Sequence, residues 1–114
     1  MKELIKKCHQ RAVKTGWWPE GKDKTSEIAE KLLMIHSEIS EATEELRKGN
    51  ILSYYSYTDS STPNKPEGLE VELADAVIRI FDLCGRLGID LEQVIRIKMR
   101  YNETRSERHG GKAL

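Results

Sequence analysis

The residues best placed to do chemistry are two short acidic motifs, Glu38-Ile-Ser-Glu41 and, 34 positions later, Glu72-Leu-Ala-Asp75. On a helix, residues three apart lie on one face about a turn from each other, so each motif aims two carboxylates the same way. The motifs also share a frame. A shift of 34 puts Glu38 on Glu72, Ile39 on Leu73, Glu41 on Asp75 and Ala42 on Ala76, so each acid pair stands one position before an apolar seam. Packing the two seams together, with suitable helix directions and stagger, brings four carboxylates to one cleft. Two unit charges about 4 Å apart repel by roughly 4 kcal/mol at an effective dielectric near 20, so four acids in a half-buried cleft shift their pKa values or take up a counter-ion. Oxygen donors without thiolate or imidazole suit a hard cation, Mg²⁺ or Mn²⁺ ahead of Zn²⁺. The plainer alternative is a solvated helix face with local ion pairs; the matching offsets of the two motifs put the metal reading level with it.

A second constellation lies near the C-terminus. Lys98, Asn102 and Arg105 recur at steps of four and three on one helix face, which carries cations and an amide but no acid. Such a stripe suits an oxyanion, with the guanidinium fork holding phosphate through two bonds and the ammonium acting as a point charge, and spacing alone fits a solvated helix face equally. The following Arg108-His109-Gly110-Gly111-Lys112 is basic and glycine-rich, able to fold over a phosphate or to fray. Trp17 and Trp18, adjacent between Gly16 and Pro19, fit either stacking on a nucleobase or plugging the end of a helical bundle, and plugging is the preferred reading. Asp82 stands seven beyond Asp75 on the same face and is a candidate for supporting the acids from behind. His36 points elsewhere on its helix than Glu38, and Cys8 and Cys84, on apolar faces, read as reduced packing residues.

Four helices must position these groups. Leu4, Ile5, Cys8 and Ala12 predict the first, from Lys2 to Lys14. The second begins near Thr25 or Ser26, either of which can cap it. It runs on Ile28, Leu32, Ile35, Ile39, Ala42 and Leu46, and ends at Arg47, Lys48 and Gly49. The third follows Gly68 on Leu69, Leu73, Ala76, Ile80, Leu83 and Leu87, and stops at Gly88. The fourth starts from Asp90 as cap, with Gln93 reaching back and Ile89 stapled against Val94. Between the second and third, Asn50 to Glu67 holds Tyr54, Tyr55 and Tyr57 among serines, then Pro63 and Pro66. This is a long loop with at most a short ordered piece, either a lid over the acidic cleft or an insertion without a role. The expected fold is all-α, four-helix-bundle-like, in a single domain over residues 1–114.

At 114 residues, 38% hydrophobic and 33% charged, the chain suits helices with one apolar and one wet face. Lys plus Arg equal Asp plus Glu at 19 each, so no global positive field advertises nucleic acid as a partner. No apolar run approaches the roughly 20 residues a membrane span needs, and Met1-Lys-Glu-Leu lacks a signal peptide's apolar core. The expected location is the cytoplasm, with no membrane partner.

Taken together, Glu38-x-x-Glu41, Glu72-Leu-Ala-Asp75, and Lys98-x-x-x-Asn102-x-x-Arg105 followed by His109-Gly-Gly-Lys112 resemble the MazG-like branch of the all-α nucleoside triphosphate pyrophosphohydrolases, over roughly residues 28–112. The resemblance implies a MazG-type helical fold in which Glu38, Glu41, Glu72 and Asp75 bind Mg²⁺ while Lys98, Asn102 and Arg105 contact the triphosphate. It also implies products of nucleoside monophosphate and pyrophosphate, and a homodimer or homotetramer with sites near subunit interfaces. The residues make that chemistry coherent, because an acidic cleft binds a polyanion only through bridging cations. One motif carboxylate less engaged in coordination is then free to orient or deprotonate the attacking water, and Glu41 is assigned that role. The expected activity is Mg²⁺-dependent hydrolysis of a (deoxy)nucleoside triphosphate, serving to clear non-canonical or surplus nucleotides. The rival of another class is a non-catalytic bundle that binds partner helices through its seams. A di-iron carboxylate bundle ranks last, since neither motif supplies the histidine of Glu-x-x-His.

Overall fold

The computed structural model describes residues 1–52 and 65–105 together with the backbone of 54–56. Tyr57, Pro63 and the tail from Arg108 to Lys112 lie outside the described residues. Among those described the fold is all-α, with helices α1 (Lys2–Lys14), α2 (Lys24–Arg47), α3 (Leu69–Leu87) and α4 (Leu91–Glu103). The cap of α2 differs from the expectation. Asp23, not Thr25 or Ser26, takes that place, its carboxylate accepting from the Ser26 backbone N–H at 2.9 Å and from the Ser26 hydroxyl at 2.8 Å. A carboxylate gains from the helix dipole where a hydroxyl does not, which favours the aspartate. At the other junctions Gly88 closes α3 at φ 68°, a left-handed conformation open to glycine, and Asp90 caps α4 by accepting from the Gln93 N–H at 3.2 Å.

The loop after α2 is tied at its base. Strands β1 (Tyr54–Ser56) and β2 (Lys65–Glu67) pair antiparallel, and the carbonyls of Asn50 and Ile51 accept from the N–H groups of Leu69 and Glu70 at 2.8 and 3.3 Å. Those bonds satisfy free donors at the start of α3 and bring it beside the end of α2. The two helices therefore run antiparallel, with Glu38 meeting Arg79 and Glu27 meeting Arg86 farther along. Helix α1 also lies antiparallel to α3: His9 meets Asp82, and Lys2 meets Asp90. The α1–α3 crossing is close, since a Cβ on Gly85 would stand 2.6 Å from that of His9.

Helix α3 is thus the shared element, packed against α2 on one side and α1 on the other. Its Ala76, Leu83 and Cys84 form the buried apolar core with Ile5 and Ala42. That core is small. Leu32, Ile39, Leu46 and Leu73, all expected in the seams, stay about half exposed, and no residue of α4 is buried. Among the described residues no helix is long and apolar enough to cross a membrane.

Candidate functional site

Helices α2 and α3 bring their acids together across an antiparallel contact. A shared 34-residue frame would superpose the motifs in parallel helices. Here positions pair so that their numbers rise on one helix as they fall on the other, and Glu38 sits opposite Arg79. Carboxylate oxygens of Glu38, Glu72 and Asp75 nevertheless converge, all within 4.8 Å of one another. Glu41 lies outside this trio and is exposed, though its charge is felt at Glu72.

Three carboxylates this close need positive charge, and the chain supplies some. Arg79, one turn beyond Asp75, donates from Nε to Glu38 Oε1 at 2.7 Å, and the Glu38 side chain is only 12% exposed. A proton supplies more. Burial first, then a hydrogen bond with Glu38 and the neighbouring acids, pushes Glu72 up to about 7. Burial and the Glu38 charge raise Asp75 as well, against the opposing influence of Arg79 and of Lys65 on β2. Glu72 is therefore the proton carrier of the trio, hydrogen-bonded to both neighbours. Three clustered carboxylates are a hard-oxygen donor set that a divalent cation fits, with Glu38, Glu72 and Asp75 as the candidate holders.

A pH dependence follows. Above about pH 4.5 the unfolded chain has released the Glu72 proton that the folded protein still binds, so this group's contribution to stability falls as pH rises to about 7. In chelator, the melting temperature is expected to drop between about pH 5 and about pH 8, and Glu72→Gln, which is permanently neutral, should flatten most of that slope. Scanning calorimetry at a series of pH values checks it; a melting temperature that climbs with pH in the wild type would overturn the assignment.

Glu38 and Asp75 of the trio line a cleft of about 440 Å³ whose floor is one face of α3, Asp75, Ile78, Arg79 and Asp82 at steps of three, one and three. Glu38 stands on the α2 side, and Lys7 and Arg11 line the α1 side. Asp82 is buried, 7% exposed, but supports no acid of the trio: it accepts from Trp18 Nε1 at 2.9 Å and pairs with His9 Nδ1 at 2.8 Å. Those bonds fix the Trp18 indole, which meets His9 edge-on and has the cations of Lys31 and Arg86 over its ring at 4.5 and 4.8 Å. Trp17 is more exposed and lines the cleft, with the Arg79 guanidinium 4.6 Å from its ring centre.

Lys98, Asn102 and Arg105 are not brought to this cleft. Lys98 and Asn102 lie on α4, but the helix ends at Glu103 and Arg105 falls beyond its Thr104 cap, so the three do not share one helix face; Lys98 and Arg105 flank Tyr101 at 4.7 and 5.5 Å. His36 is exposed, Cys84 is buried and Cys8 is half-buried at the cleft's edge. Sequence reasoning missed Arg79, Lys7 and Arg11. Arg79 could have been found as the basic residue between Asp75 and Asp82 on one helix face, whereas Lys7 and Arg11 sit on a helix that carries no motif. Comparison with known proteins found no matching family model, no matching curated protein and no matching solved structure.

Proposed function

We propose that this chain is a Mg²⁺-dependent nucleoside triphosphate pyrophosphohydrolase, Mn²⁺ also serving, that yields a nucleoside monophosphate and pyrophosphate and clears non-canonical or surplus nucleotides in the cytoplasm. The observation that carries the reading is the meeting of Glu38, Glu72 and Asp75 within 4.8 Å of one another, two of them, Glu38 and Asp75, lining a cleft that also bears cations. When bound, the metal would supply charge neutralisation for the phosphates and activation of water. The chain's own groups do the rest. The trio holds the cation, and Glu41, exposed beside it, is free to orient or accept a proton from the attacking water. Trp17, at the edge of the cleft, offers an aromatic surface to a base once Arg79 moves, while Trp18 is held by Asp82 outside the cleft lining.

We further infer a homodimer or homotetramer. Lys98 on α4 and Arg105 just beyond its end lie off their own chain's cleft, and α4 buries no residue, so they are suited to a site on a second copy. One observation favours the other reading, a bundle that binds partner helices: the half-exposed apolar residues of α2, α3 and α4 form ready docking faces.

The separating experiment is a panel of canonical and modified ribo- and deoxyribonucleoside triphosphates with Mg²⁺, assayed for pyrophosphate release. Turnover of at least one, lost in chelator, is the expected result. Failure of every triphosphate in a folded, metal-binding sample would leave the interaction module ahead.

A further inference from the structure

Helix α1 carries basic residues on more than one face. Ile5 and His9 turn toward α3, where Ile5 is buried and His9 pairs with Asp82. Lys7 and Arg11, one turn apart, form an adjacent stripe that lines the same cleft as Glu38, Asp75, Arg79 and Trp17.

Opposite charges in one cleft would ordinarily close on each other. Elsewhere on the surface they do: Lys22 reaches Glu30 at 2.8 Å, Arg96 reaches Glu92 at 3.1 Å and Arg47 reaches Glu44 at 3.1 Å. Among the described residues, neither Lys7 nor Arg11 forms an ion pair, although the acids stand across the cleft from them. The space between is about 440 Å³, room for a molecule carrying its own charges. Arg79 on the floor bonds Glu38 through Nε, and among the described residues its two Nη groups make no hydrogen bond.

Such a layout discriminates between ligands. A bare divalent cation is attracted by the trio and repelled by Lys7 and Arg11. A bare polyphosphate meets the reverse. A metal–polyphosphate complex satisfies both walls at once, with its cation on the carboxylates and its outer phosphate oxygens toward α1.

Resting on the reading above, we propose that Lys7 and Arg11 of α1, with Arg79 of α3, grip the phosphate chain of the metal-bound nucleotide within the chain that holds the metal. This set is separate from Lys98, Asn102 and Arg105.

Because inorganic tripolyphosphate has no base, it tests the grip whatever nucleotide is preferred. The full-length protein is titrated in a calorimeter with Mn²⁺ alone and then, saturated with Mn²⁺, with tripolyphosphate. Lys7→Ala combined with Arg11→Ala is expected to weaken tripolyphosphate binding about ten- to hundredfold. The same variant should bind Mn²⁺ alone as tightly as the wild type or more so, since two repelling charges are gone. A loss of packing would not weaken one and spare or tighten the other. Both side chains are exposed, so the double variant should keep its fold, and Lys14→Ala, outside the cleft on the same helix, should bind both probes like the wild type. Wild-type affinity for tripolyphosphate in the double variant overturns the proposal while the metal and nucleotide reading stands. If the wild type binds Mn²⁺ but no tripolyphosphate, the grip is also refuted and the metal site survives. If the wild type binds no Mn²⁺, the functional reading itself has failed and the grip falls with it.

Discussion

Asp75→Asn is expected to abolish triphosphate hydrolysis and metal-induced stabilisation while making the metal-free protein more stable at neutral pH. The three effects have one cause. Asp75 shares a space of 4.8 Å with Glu38 and Glu72, and burial plus the Glu38 charge already pushes its pKa up, so removing its charge relieves repulsion in the empty site. The same charge is what a divalent cation would use, and its loss should cost about a hundredfold or more in kcat/KM, an effect of the size seen when groups that act together in a site are broken. Glu38→Gln is a poorer probe, because Glu38 also holds Arg79 at 2.7 Å and its neutralisation frees that guanidinium. Asparagine keeps the shape and Asp75 is only half-buried, so the helices should persist. Circular dichroism, thermal melts with and without Mg²⁺, and pyrophosphate release read the three outcomes separately. A variant with full metal-dependent turnover sinks the carboxylate assignment. One whose metal-free form melts well below the wild type shows that Asp75 has a structural role instead.

Why the helices were legible and their meeting was not is a matter of range. Periodicity and end signals are local: α1 spans Lys2–Lys14, α3 lies between Gly68 and Gly88, and α4 starts after Asp90 as those signals indicate, although α4 stops at Glu103 and leaves Arg105 beyond it. Even the misread cap of α2 was a local competition between Asp23 and two hydroxyls. The relative direction of α2 and α3 is not encoded in either motif. It comes from how the loop base ties Asn50 and Ile51 to Leu69 and Glu70, and in the resulting hairpin Glu38, Glu72 and Asp75 converge while Glu41 stands outside the trio. The spacing of Arg79 between Asp75 and Asp82 is legible, but its partner is not: four residues after Asp75 it reads as an ordinary pair along one helix, and its bond to Glu38 exists only across the packed hairpin. Asp82 was found by spacing, but its partners, His9 and Trp18, come from elements far away in sequence.

Two inactive proteins are expected to restore activity to each other when mixed. Helix α4 makes the case: it buries none of its residues, Ile97 is 62% and Met99 57% exposed, and its cations stand away from their own chain's acids. An amphipathic helix left this bare gains most of its stability by packing its apolar face, and a second copy offers matching half-exposed seams on α2 and α3. If α4 then delivers Lys98 and Arg105 to the partner's cleft, each site is built from the acids of one chain and these cations of the other. Asp75→Asn in one chain and Lys98→Ala with Arg105→Ala in the other would break both sites of each pure dimer. A hybrid dimer, however, has one site with all of these groups intact. Random re-pairing makes half the dimers hybrid, and one working site in each gives about a quarter of wild-type activity. Co-refolding the two variants, with light scattering to confirm assembly, measures it. If α4 served its own chain instead, every site in the mixture would lack either the carboxylate or the cations, and activity would stay at the level of the better parent. That outcome, in a sample shown to be a dimer, would place the α4 cations outside the partner's site and leave Lys7, Arg11 and Arg79 as the phosphate-facing groups of the cleft.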